Sequence, residues 1–495
     1  MKLTQEQEAA LELIMSGRNV FLTGEAGTGK STIISELQER TDKNCVLLAP
    51  TGMAAVNIGG STIHSFMRFA PILLNESNIE PLRNKSEKAL IRNADIVVID
   101  EISMVRGDLF RAIDFRLRQV MTGRNKKRPF GGKQIVVVGD FYQLPPVVHG
   151  EDERKAVVDT AGGIFAFQTS TWVDGQFEYV SLKNIVRQST DSLFISILNH
   201  IRHNELSACD IADPETGQMM NVRDILNKFT GIARPLSVTP VQLCTTNSEA
   251  DTLNSYAMNQ LPEKSRTFTG AAHGTFSDKD FPAPAILELK KGARVMTLTN
   301  RRSQTSGRME YVNGDVGEVV DFIDNPSGVT TIVVSLDNGN LVKVTPNEWK
   351  NYKYMVTDSD SDKPKIEQKE IGAYVQYPLK LAYAITIHKS QGMSMDAVMI
   401  KLGNGCFAHG QLYTALSRCR TLRNLRIDRP IFDRDIIIDP SVVSFYKQVE
   451  VATAANRLSA EKEPRIVCID VPMKYEAAVR ELLKRLESED AKCND

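Results

Sequence analysis

The chain has 495 residues, of which 42% are hydrophobic and 24% are charged, and its formal net charge is −1. This length predicts roughly three or four domains with real cores, and the balanced charge excludes a global basic field, so any nucleic-acid site must be local. The seven cysteines include no C-x-x-C pair, which indicates a reducing compartment without a zinc or iron–sulfur site. Because no apolar run is long enough to cross a membrane and the N-terminus is no signal peptide, we expect a cytoplasmic protein, nucleoid-associated in a prokaryote.

The first motif in chain order is a glycine-rich loop, GEAGTGKST, at residues 24–32. It fits the pattern G-x-x-x-x-G-K-S/T, follows the apolar run 20–22 and leads into a helical pattern. The backbone N–H groups of such a loop point at phosphate oxygens, with the helix N-terminus behind them. Lys30 is predicted to reach the β- and γ-phosphates, and the Ser31 hydroxyl to hold Mg²⁺. The nucleotide-binding residues predicted from this loop are Gly24, Gly27, Thr28, Gly29, Lys30, Ser31 and Thr32.

Further apolar runs at 45–49, 96–99 and 135–138 alternate with helical patterns, which predicts a parallel sheet covered on both faces. Ligands of such sheets bind at the carboxyl ends of the strands. There, Asp100 is predicted to bind Mg²⁺ and Glu101 to accept a proton from the attacking water; a loop cap is the alternative for this pair. Gln143, after the run 135–138, is placed to touch the γ-phosphate or its water. The carboxylate pair favours hydrolysis over simple nucleotide binding.

The α/β pattern restarts after Pro235, with runs at 241–245, 294–299, 381–387 and 397–402 that predict a second sheet. Between residues 316 and 377, short alternating strands predict a small inserted β-barrel. From about residue 450 the chain is charged and then gives one amphipathic pattern, whose apolar face packs either on the body or on a partner.

Seven motifs in this order resemble those of superfamily-one helicases, and within them the Pif1 family, relatives of the RecD-like enzymes that move 5′→3′. Besides GEAGTGKST, VVIDEISM and VGDFYQLPPV, the matching stretches are APTGMAAVNIGGSTIHSF, LKNIVRQSTDSLF, LAYAITIHKSQGMSMDAV and GQLYTALSRCRTL. The stretches MVRGDLFRAIDFRLRQ and PFGGKQ look like a signature of the family itself. The resemblance covers about residues 3 to 430 and excludes the C-terminal part.

The resemblance implies an α/β fold of two RecA-like parallel-sheet domains, with a small β-barrel inserted in the second. The predicted boundaries are 1–190 for the first RecA-like domain, with a short wedge insert near 66–90, 191–315 and 378–450 for the second, 316–377 for the barrel, and 451–495 for a C-terminal extension.

On the nucleotide side, Gln7 resembles the adenine-reading glutamine of the family, with Gln5 as the alternative register. Arg187 and Arg418 resemble a pair of arginines that reach the γ-phosphate across a cleft, which couples ATP binding to domain closure. Gly392 is assigned to the nucleotide site as well. The residues predicted to be catalytic are Lys30, Asp100, Glu101, Gln143, Arg187 and Arg418, and those predicted to hold the metal are Ser31 and Asp100.

On the nucleic-acid side, the residues that resemble strand-contacting positions are Thr51, His64, Phe66, His388 and Ser390. Hydroxyls and neutral histidines bind phosphates and an aromatic ring stacks on a base, although a core position is the alternative for Phe66. A local basic cluster, for which a solvated loop is the alternative, comprises Arg116, Arg118, Arg124, Lys126, Lys127, Arg128 and Lys133.

The resemblance thus implies an ATP-dependent 5′→3′ DNA helicase that uses ATP and Mg²⁺, acts on single-stranded and on duplex or forked DNA, and is a monomer in solution. The family is associated with G-quadruplex unwinding and with genome maintenance. Three alternatives stay open: an RNA helicase, because no motif decides the sugar, a nucleotide-regulated nucleic-acid-binding protein without strand separation, and a subunit of a nuclease complex.

Overall fold

The computed structural model describes residues 3–25, 27–183, 191–203, 205, 211–212, 216–231, 239–278, 281–302, 309–326, 328–357 and 365–460. The prediction for Arg187 therefore lies outside the described residues, as does the amphipathic pattern near the C-terminus. Residues 1–439 form one compact unit and residues 440–495 a second. No described helix combines the length and apolar composition that crossing a bilayer requires.

The helices in the described part of the chain are α1 (Gln5–Met15), α2 (Lys30–Arg40), α3 (Gly52–Asn57), α4 (Ile63–Met67), α5 (Lys85–Asn93), α6 (Gly107–Val120), α7 (Gly150–Ala161), α8 (Ser170–Asp174), α9 (Ser192–His203), α10 (Val222–Asn227), α11 (Asn247–Gln260), α12 (Gln411–Leu416) and, in the second compact unit, α13 (Pro440–Ala460). Short 3₁₀ turns lie at Ile102–Met104, Gly123–Lys127, Pro129–Gly132, Ala166–Gln168, His388–Ser390, Leu422–Asn424 and Asp433–Asp435.

The strands are β1 (Val20–Gly24), β2 (Cys45–Ala49), β3 (Ser61–Thr62), β4 (Ile96–Ile99), β5 (Gln134–Val138), β6 (Glu178–Leu182), β7 (Ile211–Ala212), β8 (Met219–Met220), β9 (Val241–Cys244), β10 (Arg266–Thr269), β11 (Ala271–Gly274), β12 (Ile286–Leu289), β13 (Arg294–Thr297), β14 (Arg301–Arg302), β15 (Met309–Tyr311), β16 (Val316–Asp324), β17 (Thr330–Leu336), β18 (Leu341–Val344), β19 (Asn347–Thr357), β20 (Lys365–Gln376), β21 (Leu379–Leu381), β22 (Ala384–Thr386), β23 (Val398–Lys401) and β24 (Leu425–Ile427).

The first sheet has six parallel strands in the order β3-β2-β4-β5-β1-β6. Its central strands are buried along their whole length, because helices cover both faces. On one face α1 and α2 pack Leu11 and Ile33 against the sheet. On the other, the ring of Phe21 lies 5.5 Å from that of Phe141 and 5.3 Å from that of Trp172. The parallel sheet predicted from the apolar runs is confirmed.

The second parallel sheet has four strands in the order β22-β9-β23-β24. The sequence pattern predicts that the run 294–299 joins this sheet, but β13 pairs antiparallel with β16 and β21 in a different one. An apolar run identifies a buried strand without specifying its neighbours, which is why the prediction for this strand is wrong.

The strands between residues 316 and 377 divide between two antiparallel sheets. The first has the order β18-β17-β16-β13-β21 and encloses a core that includes Val295, Val319 and Val334. The second, β11-β20-β19, contains the long β19–β20 hairpin. Because β13 and β21 lie outside the bounds of the predicted insert, the five-stranded unit is wider than expected. The inserted β-barrel is not confirmed as a closed barrel and stays a prediction.

The β19–β20 hairpin lies against the edge of the first sheet. The backbone N–H of Leu47 donates to the hydroxyl of Tyr354 at 3.0 Å, and that of Ile366 donates to the Asn44 side chain at 2.8 Å. The Gln368 amide donates to the carbonyl of Gly59 at 2.6 Å. The two regions are thus joined by polar contacts between residues far apart in the chain.

Candidate nucleotide and nucleic-acid sites

The phosphate loop joins the end of β1 to the start of α2, as its motif requires. Gly24 has φ 150°, and a Cβ there would lie 2.7 Å from the carbonyl oxygen of Leu182. Gly29 caps α2 in the left-handed region with φ 86°. Only glycine fits these positions without strain, so the sequence pattern has a direct backbone cause.

Lys30 is half-buried at the end of the phosphate loop, where α2 begins. Its Nζ donates to the carbonyls of Gly24 at 2.8 Å and Glu25 at 3.0 Å, and it forms no ion pair with any described carboxylate. Burial lowers the pKa of Lys30, opposed by the charges of Asp140, Glu101 and Asp100. A cation in this setting gains from an incoming phosphate, which is the role predicted for it.

The other predicted loop residues surround this lysine. Thr28 is buried and its hydroxyl donates to the Glu25 carbonyl at 2.9 Å. Ser31 is exposed at the first turn of α2, and the N–H of Thr32 donates to the carbonyl of Gly29 at 3.0 Å. Gly27 has φ 87° and contributes backbone geometry rather than a side chain. The Ser31 hydroxyl therefore remains available to a ligand.

Gln7 connects α1 to the phosphate loop. Its Nε2 donates to the carbonyl of Thr28 at 3.1 Å, and its Oε1 accepts from the backbone N–H of Thr4 in a capping box. The side chain is 5% exposed, so in this arrangement its amide serves the protein itself. Reading of an adenine by Gln7 stays a prediction that requires these bonds to be exchanged.

Asp100 and Glu101 follow β4 at the edge where the phosphate loop lies. The backbone N–H of Glu101 donates to Asp100 Oδ1 at 2.9 Å, and Glu101 has φ 52°, which is unusual for a residue with a side chain. Burial raises the pKa of Asp100. Burial, together with the neighbouring Asp100, raises the pKa of Glu101 to about 7. Two adjacent carboxylates with raised pKa values suit a divalent cation or a proton-accepting role.

Gln391 joins two of the predicted catalytic residues. Its Nε2 donates to Glu101 Oε2 at 3.1 Å and lies 3.4 Å from Gln143 Oε1. The side chain of Gln143 is 7% exposed. The sequence motifs do not indicate a role for Gln391, although it stands between Ser390 and Gly392, for which they do. Gly392 has φ 76°, and a Cβ there would point into open space, so its contribution is a backbone turn.

Arg418 is 2% exposed and bonds to its own neighbourhood. Its Nη1 donates to the carbonyls of Met393 at 3.1 Å and Ser390 at 3.4 Å, and its Nε donates to that of Thr414 at 2.9 Å. Its charge lowers the pKa of Glu101, which opposes the effect of burial. The guanidinium therefore acts on Glu101, one of the predicted catalytic carboxylates, while it holds the 390–393 backbone.

Besides Arg418, another arginine, Arg202, lies near the phosphate loop, although the sequence motifs do not indicate it. Arg202, at the end of α9, donates from Nη2 to Asp140 Oδ1 at 3.0 Å and lies 3.9 Å from Glu25 Oε1. Its guanidinium also stacks on the ring of Tyr142, 4.7 Å from the centroid. The Tyr413 hydroxyl donates to Asp140 Oδ2 at 3.3 Å. An arginine at the end of the apolar face of a predicted helix is the sequence signal that could have identified it.

The predicted strand-contacting residues of the first domain are built into helix ends and the core. The Thr51 hydroxyl accepts from the N–H of Ala54 and caps α3. His64 is half-buried, and burial together with the charge of Arg106 lowers its pKa, which favours the neutral ring. Phe66 is 3% exposed and packs edge-on against Tyr354 at 5.7 Å. The structure therefore places this ring in the core, the alternative reading, and not on a surface where a base could stack.

His388 and Ser390, the predicted strand-contacting residues from the second half of the chain, lie in a 3₁₀ turn after β22. Ser390 is fully buried and its hydroxyl donates to the carbonyl of Ile387 at 2.7 Å. Contact of this side chain with a strand stays a prediction that requires it to become accessible. His388 is half-buried, and burial lowers its pKa. A neutral imidazole can donate a hydrogen bond to a phosphate without carrying a permanent charge.

Comparisons with known proteins agree with these features. A family model described as PIF1-like helicase matches residues 2–209. The ATP-dependent DNA helicase Pif1 of Bdellovibrio bacteriovorus is 33% identical over 91% of this chain and 93% of its own length. The Pif1 of Bacteroides sp., solved with ADP-AlF4, superposes with a TM-score of 0.78 at 34% identity, over 91% of this chain and 98% of that one. Solved with ADP-AlF3 and single-stranded DNA, it gives a TM-score of 0.61 at 34% identity, again over 91% and 98% of the two chains.

The chain belongs to the PIF1-like helicase family.

Members differ in length, and the chain spans 57% of the Candida albicans relative and 66% of the Xenopus laevis one.

The stretch that looks like the family signature forms α6, whose polar side chains bind neighbouring segments. Asp108 accepts from the N–H of Leu74 at 2.8 Å, and Asp114 accepts from that of Phe130 at 2.5 Å. In this member of the family the signature stretch thus holds the segments that contain Leu74 and Phe130.

The predicted basic cluster separates into two groups. Arg116 is buried and Arg118 is ion-paired with Asp114 at 2.8 Å. The residues of the 3₁₀ turn Gly123–Lys127 are exposed, as is Arg128. The cluster is therefore not one basic surface, because Arg116 lies in the protein interior and the half-buried Arg118 is neutralised by an ion pair.

Proposed function

We propose that the chain is an ATP-dependent DNA helicase that translocates 5′→3′ on single-stranded DNA and unwinds duplex or forked DNA. The observation that carries the proposal is the bond from Gln391 to Glu101. Gln391 belongs to the segment that holds His388 and Ser390, the predicted strand contacts, whereas Glu101 is the predicted proton acceptor. A change in the bound nucleotide that moves Glu101 can therefore move Gln391 and, with it, the segment that contacts the strand.

In this proposal Lys30 binds the β- and γ-phosphates, and Glu101 accepts the proton of the attacking water. Gln143 and Gln391 hold that water in place. Arg187 and Arg418 offset charge that develops on the γ-phosphate. Ser31 and Asp100 fit Mg²⁺, since such ions bind one or two protein oxygens together with the phosphates of the substrate. When bound, Mg²⁺ neutralises phosphate charge.

The relatives support the choice of substrate. The Bdellovibrio relative is an ATP-dependent DNA helicase, and the Bacteroides protein has been solved with single-stranded DNA and with a nucleotide analogue. We also propose a monomer acting in the cytoplasm or nucleoid. The four described cysteines, Cys45, Cys244, Cys406 and Cys419, are free thiols, which fits a reducing compartment.

A nucleic-acid-binding protein that keeps ATP only as a structural ligand is the second candidate. A purely structural ATP does not require the contacts of Gln391 with Glu101 and Gln143, which disfavours this candidate. An RNA helicase differs only in the sugar that it accepts, and the comparisons favour DNA.

The test has two parts. ATPase activity is measured with single-stranded DNA, duplex DNA and RNA of matched length, and we expect the largest stimulation from single-stranded DNA. Unwinding is then measured under single-turnover conditions on duplexes with only a 5′ tail or only a 3′ tail. Unwinding from the 3′ tail alone would overturn the direction while leaving the ATPase assignment intact. Equal ATPase rates with and without nucleic acid would overturn the helicase proposal.

A further inference from the structure

Residues 68–84, between α4 and α5, form a loop that closes over a cavity of about 420 Å³. We call these residues the 68–84 loop. The apolar wall of the cavity includes Phe69, Ile79 and Leu82, and its cationic lining consists of Arg68, Arg83 and Arg116. This volume lies within the range of pockets that bind small organic groups. It is separate from the phosphate loop and from the carboxylates that follow β4.

The signature helix α6 holds the 68–84 loop in place. The N–H of Leu74 donates to Asp108, and Arg106 Nη2 donates to the carbonyl of Ile72 at 3.3 Å. Gln119 Nε2 donates to the carbonyl of Ile79 at 3.4 Å. These bonds to backbone groups fix the loop without a helix or strand of its own, so the cavity is preformed rather than an accidental gap in a loose segment.

Arg116 is the most informative residue of the cavity. It is 2% exposed, its Nε donates to the Met67 carbonyl at 3.0 Å, and its Nη1 donates to the Glu80 carbonyl at 2.8 Å and to the Gln119 side chain. Its Nη2 makes no hydrogen bond with the described residues, and its guanidinium lies on the ring of Phe69 at 5.4 Å. A buried guanidinium that lines a cavity with one unused nitrogen is suited to an anion.

The remaining charges around the cavity are mostly positive. Arg68 is ion-paired with Glu87 at 2.9 Å, whereas Arg83 is exposed and forms no ion pair among the described residues. Glu80 is the carboxylate that lines the cavity, and it is exposed, so its side chain can turn toward solvent. The cavity also begins one residue after α4, the helix that carries His64 and Phe66.

We propose that this cavity binds a phosphate group of a DNA strand, with the attached nucleoside against the apolar wall. Arg116 and Arg83 supply the donors to the phosphate, and Phe69, Ile79 and Leu82 cover the apolar part of the nucleotide. The proposal rests on the proposed function, because it assigns the cavity to the same DNA substrate. A free nucleotide monophosphate shares this chemistry and is separated from the strand by the test.

The test compares the variants Arg83→Glu and Glu80→Gln with the control Arg154→Glu. Arg154 is an exposed arginine on α7 that does not line the cavity. Affinity for a forked DNA with 5′ and 3′ single-stranded arms is measured from about 50 to 300 mM salt, beside that for a short oligo-dT. Arg83 and Glu80 side chains are exposed, so these changes leave the core intact, and thermal unfolding checks this point.

Loss of one phosphate contact lowers the salt slope by about one and weakens binding, so we expect Arg83→Glu to reduce fork affinity roughly fivefold or more. Glu80→Gln removes a repelling carboxylate and should strengthen fork binding, whereas Arg154→Glu should change neither affinity nor slope. An Arg83→Glu slope equal to that of wild type, in a protein whose ATPase still responds to oligo-dT, overturns the cavity assignment alone. No response of the wild-type ATPase to any DNA overturns the proposed function instead.

The second arm uses dTMP and inorganic phosphate as competitors of fork binding. Competition by millimolar dTMP that Arg83→Glu abolishes supports the assignment of a nucleotide phosphate to this cavity. If Arg83→Glu weakens dTMP binding without any effect on the fork, the cavity is a site for free nucleotide and the strand assignment is wrong.

Discussion

The predicted nucleotide region, which consists of Lys30, Asp100 and Glu101, differs from the predicted strand-contacting residues in how its side chains are bonded. At the nucleotide region, the half-buried Lys30 has no ion pair among the described carboxylates, and Asp100 and Glu101 have raised pKa values. In the strand-contacting set, the side chains of Thr51 and Ser390 bond to nearby backbone, and Phe66 packs in the core. The charges of the nucleotide region are thus poorly compensated by their neighbours, whereas the polar groups of the strand-contacting residues already have hydrogen-bond partners.

This difference indicates how each region meets its ligand. Half-buried charges with weak compensation gain from a ligand of opposite charge, so we expect the nucleotide region to bind phosphates and a cation with little rearrangement. Satisfied hydroxyls and a packed ring gain little from a strand unless the surrounding segments move. Strand binding by these residues therefore depends on backbone groups or on rearrangement, and the following experiments test that contrast.

Lys30→Ala has the largest expected effect. Without the ammonium, the β- and γ-phosphates lose their main cation from the loop, and we expect ATPase activity to fall below detection. Binding of single-stranded DNA, measured by fluorescence anisotropy without nucleotide, should stay near the wild-type value because the strand contacts lie on other segments. Appreciable turnover by this variant would show that GEAGTGKST is not the working site.

Arg418→Lys tests a residue that belongs to both regions. A lysine cannot reproduce the planar fork that binds the carbonyls of Met393 and Ser390, so we expect kcat to fall by roughly 10³-fold. The matched control is Arg420→Lys, because Arg420 is partly exposed and pairs with Asp396 at the surface. Similar small losses in both variants would assign Arg418 a purely structural role.

Phe66→Ala separates a core ring from a stacking ring. Truncation of a buried phenylalanine costs about 3–5 kcal/mol of unfolding free energy, and this loss should appear in urea denaturation. Phe66→Leu keeps most of the volume and should restore most of the stability. A Phe66→Ala protein of wild-type stability with weakened strand affinity would instead place the ring on the DNA.

The pH dependence of stability gives the smallest expected effect. Because the folded-state pKa of Glu101 is about 7 and its ordinary value is 4.5, the folded protein keeps a proton that the unfolded chain releases. Its contribution to stability is therefore present at low pH and is lost as the pH rises toward 7. Melting temperatures in EDTA should fall over this interval for the wild type and less for Glu101→Gln. Parallel profiles for the two proteins would show that the carboxylate is well compensated.

Much of this arrangement could be predicted from local sequence. The apolar runs identified the central strands of the first sheet, and the glycines of the phosphate loop occupy the backbone positions that require them. Gln391 was missed because its partner Glu101 lies 290 positions away, and no local pattern reports such a contact. The same reason applies to Arg202, whose bond to Asp140 spans 62 positions. The burial of Ser390 and Phe66 could not be predicted for a different reason, because a motif specifies which residues are present but not which of their atoms face solvent.

The bond from Leu47 to Tyr354 has a consequence for self-association. Strand β3 is only two residues long, so it leaves the first part of β2 as an open sheet edge, where an unpaired N–H is a template for another chain. The Tyr354 hydroxyl occupies one of these positions, and Ile366 and Gln368 of the same hairpin bond to Asn44 and Gly59, just before β2 and β3. The β19–β20 hairpin, which comes much later in the chain, thus covers this edge and hinders edge-to-edge aggregation. Any rearrangement that lifts it away exposes that edge for as long as the rearrangement lasts.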